Sequence, residues 1–218
     1  MIKHSKLAVL KVLMGVLILC VFQMYGFSRF MLNGTDEAFT EQQQPVIKSY
    51  VMEGAGYFLK SQADTLLLLN KIELSDLNGL NYTELQQLLN NAIINMENAR
   101  AKYTALTQTA DTATYQASII DRLTIIDYYS FQQTNGLNSV IFNQAVSYFN
   151  SGDIRGLYHK ILSDTQAILD KLTFIKSYID TNTLPQTSYF WRLNQSYSDT
   201  LLSGQYAAEI FYNITGKN

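Results

Sequence analysis

The stretch LYHKILSDTQAILDKLTFIKSYI, residues 157–179, decides the fold. Leu157, Ile161, Thr165, Ile168, Leu172, Ile175 and Ile179 recur in it at steps of three and four. That period places all seven on one stripe of an α-helix, the pattern of a helix facing a bundle core. Ser151-Gly152-Asp153 ahead of it reads as a turn ending in an N-cap residue, and Asp180 to Gln186, with Pro185, closes it.

Outward from this seam the same period returns. Pro45 suits a first helical turn, and Ile47, Tyr50, Val51, Phe58, Leu66, Leu69 and Ile72 carry a helix to about Leu74. Gly54-Ala55-Gly56 either weakens its middle or lets a second helix approach closely there. Asn81 and Glu84 form a start resembling a capping box, followed by a stripe from Leu85 through Met96 to Leu106. A further helix is expected to start near Asp111, with Tyr115, Ile119, Leu123 and Ile126 on it. Asn135-Gly136 breaks the pattern before a shorter apolar stretch, Val140 to Phe149. The last helix begins near Ser188. The fold class is therefore all-α: an up-down antiparallel bundle of about four long helices plus one or two shorter ones.

Composition agrees with this class. Across 218 residues there are 2 Pro and 11 Gly, too few for many short strands joined by tight turns, while 47% hydrophobic residues suffice for a core. One Cys excludes a disulfide framework and a multi-Cys zinc site.

The N-terminal residues differ from the rest. Lys3, Lys6 and Lys11 precede or interrupt an apolar run that reaches Phe27. A membrane or signal helix over 1–28 is expected from that pattern, with the N-terminus on the cytoplasmic side. An uncleaved signal anchor suits its length, and cleavage after Ser28 suits its small residues. Lipidation at Cys20 would want a small residue before the Cys, where Leu19 stands. The sequence then divides into this segment, a polar connector over 29–44 and an extracytoplasmic bundle over 45–218. Four of the 16 basic residues precede Asp36 and none of the 18 acidic ones does, so the remainder carries −6. An acidic domain repels phosphate backbones, which argues against nucleic acid as a partner.

Chemistry-bearing constellations are sparse. After Asp36 the chain has one histidine, His159, two residues past a seam position and so expected on a solvated face. It lacks the paired Glu-x-x-His of di-iron bundles, the Cys-x-x-Cys-His of c-type haem and the Gly-x-Ser-x-Gly elbow. A b-type haem held by His159 with Met52 or Met96 is conceivable in a bundle, but core and surface roles are commoner for such residues. No cofactor and no enzymatic activity are expected.

Aromatic residues are the one enrichment, with 15 Tyr and 11 Phe. Tyr128, Tyr129 and Phe131, and likewise Tyr189 and Trp191, place rings on different sides of their helices, so not all are core. These five are the candidate binding residues; the plainer account has tyrosines filling the core with hydroxyls reaching water. The expected function is a non-enzymatic, membrane-tethered or exported bundle of the cell envelope that binds a protein partner or a ligand. Its alternatives are an exported helical enzyme or cofactor protein with a cavity between helices, and a self-assembling structural protein or homo-oligomer.

Overall fold

The computed structural model describes residues 31–32, 35–36, 38–74, 79–116 and 154–215. Four helices organise them: α1 (Gln44–Leu74), α2 (Tyr82–Thr112), α3 (Ile154–Ile179) and α4 (Thr187–Thr215). They are 31, 31, 26 and 29 residues long. At the α-helical rise the first two reach about 46 Å. The long all-α bundle is thus present.

Among the described residues no helix is long and apolar enough to cross a membrane. None of the described helices therefore supplies the membrane or signal helix expected over 1–28, or the membrane contact assigned to it. The helices of the fold are amphipathic instead: α3 buries the seam from Leu157 to Ile179 while Lys171, Lys176 and Asp170 lie off that stripe. The segment 1–28, with Cys20, lies outside the described residues, as do both shorter helical stretches expected between 117 and 153.

Consecutive helices run antiparallel. Glu53 meets Lys102 and Lys71 meets Glu84 across α1 and α2, at 2.5 and 2.7 Å. Across α2 and α3, the Gln86 amide donates to the Ile179 carbonyl (3.3 Å) and Asp111 meets His159 (3.0 Å). Phe174 packs on Tyr189 across α3 and α4, and Phe58 on Tyr197 closes the ring between α1 and α4. The order is up-down-up-down.

Local signals set the helix ends. The Asn81 side chain accepts the Glu84 amide at 3.3 Å and caps α2. Asn182, at φ 56°, turns the chain out of α3, in a left-handed conformation that Asn tolerates better than most residues. At the end of α2 the sequence reading needs correcting. Asp111 belongs to the last turn of α2 and starts no helix. Ala113 is extended (φ −76°, ψ 153°), and Tyr115 forms an antiparallel bridge with Phe39. An aromatic pair explains the choice: the Phe39 and Tyr115 rings meet edge-on at 5.8 Å, while the Gln116 amide donates to the Ala38 carbonyl (2.8 Å).

All seven seam positions of α3 are buried, as are Ile47, Val51 and Phe58 of α1 and Leu85, Leu89, Met96 and Leu106 of α2. The stretch around 31–39, read as part of a polar connector, adds Met31, Ala38 and Phe39 to this core. Gly54 lies against α2: a Cβ there would lie 2.6 Å from the buried ring of Tyr103. At Gly56 the same atom would meet nothing within 4 Å. The first glycine therefore permits a close approach, and the second does not serve it.

Candidate functional site

Tyrosines account for the three largest fully buried side chains: Tyr103, Tyr158 and Tyr197. Their hydroxyls do not serve the core in the expected way, by reaching water. The Ser61 hydroxyl donates to the Ala92 carbonyl (2.7 Å), which leaves its oxygen to accept from the Tyr197 hydroxyl at 2.8 Å. Thr35 likewise donates to the Met31 carbonyl and pairs with the Tyr158 hydroxyl, both at 2.7 Å. Burial pushes the Tyr197 phenol well above its ordinary range, opposed by its hydrogen bonds with Ser61 and Thr65. These two phenols tie parts of the chain that are distant in sequence.

Tyr103 differs. Its hydroxyl is buried without a hydrogen-bond partner, and burial alone raises its pKa. An unpaired buried hydroxyl costs about 1–3 kcal/mol. Tyr103→Phe removes that cost and is expected to raise stability by about 1 kcal/mol. Urea unfolding checks this: the midpoint should rise at unchanged slope, and a fall would show that the hydroxyl is satisfied.

Two partly buried carboxyls flank the core. Burial raises Asp64 above the usual carboxylate range, opposed by the Asn95 amide that donates to it at 3.0 Å. Asp199 is raised by burial and, to a lesser degree, by the charge of Asp164, while Gln195 opposes the shift. The His159 ring nitrogen shares both carboxylate oxygens of exposed Asp111 at 3.0 Å. Met96 is buried and Met52 exposed. Among the described residues no three His, Cys, Asp or Glu side chains gather to hold a metal ion.

Three concave features adjoin α3 or α4. Between α2 and α3 runs an open trough of about 870 Å³ whose walls include Ala101, Ala105 and Ala167. Across it Arg100 donates to the Gln166 side-chain carbonyl (2.8 Å), whose amide donates to Asp170 (2.7 Å). Ala167 and Asp170 also line a second groove of about 380 Å³ on the α4 side. There Phe174, 39% exposed, leans on Tyr189 at 4.7 Å and 39°. The Arg192 guanidinium lies 5.8 Å from the Tyr189 ring centre. A third, smaller hollow of about 120 Å³ lies where the α3–α4 turn meets the end of α1, walled by Leu69, Ile72, Pro185, Phe190 and Trp191.

The two described candidates thus share one turn of α4 and face different grooves. Tyr189 is half-buried against α3, and Trp191, 68% exposed, stands beside the hollow at α1. Tyr128, Tyr129 and Phe131 lie outside the described residues. Sequence reasoning missed Phe174, Lys171, Arg192 and the Arg100–Gln166–Asp170 chain. Small residues at Ala101, Ala105 and Ala167 were the available signal. Each reads as helix-forming filler until a neighbouring helix gives it a groove to line.

Comparison with known protein families, characterised proteins and solved structures gives no match to this chain.

Proposed function

We propose that this protein is a non-catalytic helical bundle that binds a partner protein, and that the outer surface of α3 and the first turns of α4 form its contact face. One observation carries the reading: Trp191, with two-thirds of its surface in water, borders one groove while Tyr189 and Arg192 wall another. A bundle of this size has ample core space for a large ring. Keeping Trp, Tyr and Arg together at the surface matches the residues that dominate binding energy at protein interfaces. The exposed setting of the His159–Asp111 pair supports the non-catalytic part, because acid–base work favours an enclosed, water-poor site.

Photo-crosslinking in the native cell tests the proposal. A photoreactive phenylalanine analogue at position 191 should give one discrete heavier adduct. The same analogue at Ile94 or Met52, exposed positions on α2 and α1, should give none. Equal adducts at all three positions, or none at 191, would overturn the reading.

A further inference from the structure

The contact face has a chemical bias that points to the kind of partner it takes. Ser163, Gln166, Ala167, Asp170, Lys171 and Phe174 fall on one stripe of α3, opposite its buried seam. The stripe extends about 17 Å, three turns of helix. It is not a convex ridge sealed by long side chains. Alanines at 101, 105 and 167 lower the wall between α2 and α3, so that a further helix has room to approach closely.

Charge along this trough runs opposite to that of the whole chain. The protein carries −2 overall, yet the trough and its neighbouring groove hold Arg100, Lys171 and Arg192 against Asp170 alone. Asp170 is already engaged by the Gln166 amide. The Lys171 ammonium reaches only the Ala167 carbonyl, at 3.4 Å, and the Arg192 guanidinium meets the Tyr189 ring. Neither cation forms an ion pair among the described residues. Beside them the Phe174 and Tyr189 rings open a cleft that suits an apolar side chain.

We propose that the trough along α3 receives an acidic amphipathic helix of a partner protein. An apolar side chain of that helix seats against Phe174 and Tyr189, and its carboxylates reach Arg192, Lys171 and Arg100. The proposal rests on the partner-binding reading above and adds the chemistry of the partner. Helix-in-groove recognition gives affinity through the apolar anchors, and the charges select the sign of the ligand and speed its approach.

The probe is a synthetic amphipathic helix of about five turns. It carries Leu and Phe on one stripe and either Glu or Lys on the other, with a fluorescent label for anisotropy on the full chain. The Glu helix should bind at least about tenfold more tightly than the Lys helix, and added salt should narrow the gap. The double variant Lys171→Glu/Arg192→Glu should invert the preference. Ala167→Trp, at an exposed position, should fill the trough and abolish binding while the circular dichroism spectrum stays helical. Equal binding of the two helices, binding of neither, or a preference untouched by charge reversal would overturn the proposal. Crosslinking at 191 separates the two readings. An adduct that survives Lys171→Glu/Arg192→Glu leaves partner binding standing and removes the acidic helix. Loss of the adduct in that variant supports both.

Discussion

Tyr197→Ala is expected to lower the unfolding free energy by about 3–5 kcal/mol, the range for truncating a large buried ring. Three features of the site add up to that cost. The ring is fully buried and meets Phe58 edge-on at 5.4 Å. Its hydroxyl holds Ser61 at 2.8 Å and Thr65 at 3.3 Å. The contact also joins α1 to α4, so the cavity opens between helices that are distant in sequence. Tyr197→Phe separates the terms: it keeps the ring, loses the hydroxyl contacts to Ser61 and Thr65 and should cost only about 1 kcal/mol. Urea midpoints for both variants check the expectation. Equal losses would mean that the hydroxyl, and not the ring, carries the contact.

The second large effect is at Gly54. An added Cβ would lie 2.6, 2.8 and 2.9 Å from three ring atoms of Tyr103, a side chain that is itself fully buried. Either the ring or the helix must move. Gly54→Ala should therefore destabilise by about 1–3 kcal/mol, overcoming the roughly 1 kcal/mol that alanine gains over glycine inside a helix. Gly56→Ala meets open space and should keep that gain, stabilising by about 0.5–1 kcal/mol. Two identical substitutions two residues apart thus have opposite signs. Thermal unfolding of the pair decides the matter. Stabilisation at both positions would show that α1 and α2 do not approach as closely as their geometry indicates. Pairing Gly54→Ala with Tyr103→Leu should recover part of the loss, because the clash is a property of the pair.

The same two glycines show how much was legible in advance. Sequence alone offered two readings for Gly54-Ala55-Gly56, a weak point or a close approach. Only the position of Tyr103, 49 residues further on, assigns the approach to Gly54. The α3 seam was fully legible because a helix facing a core must repeat at its own period, whatever its neighbours are. The Asn81 cap was legible for a similar reason, since both its partners lie within one turn. The end of α2 was not. Ala110, Asp111, Thr112 and Ala113 carry no Pro or Gly to stop a helix, and the aromatic contact that stops it, Phe39 with Tyr115, spans 76 residues.

The basic, apolar start of the chain lies outside the described residues, and the described helices that build the fold are amphipathic, none fit to span a bilayer. The candidate site was legible only in its exposed aromatics. Tyr189 and Trp191 stand out by type, but each groove needs walls from two helices. No single-helix pattern reveals that Arg100, Gln166 and Asp170 line up across two of them.

The hydroxyl pairs Thr35–Tyr158 and Ser61–Tyr197 have a consequence for uniqueness. Each pair joins the first half of the chain to the second, over 123 and 136 residues of separation. Two helical hairpins packed through aliphatic stripes alone could slide past each other by a turn and bury nearly the same area. A displaced phenol in that shifted arrangement would be left in hydrocarbon with no acceptor, at a cost of several kcal/mol if both pairs were lost. The buried tyrosines therefore act as register keys, and their value lies less in the strength of each bond than in the alternatives they make unfavourable.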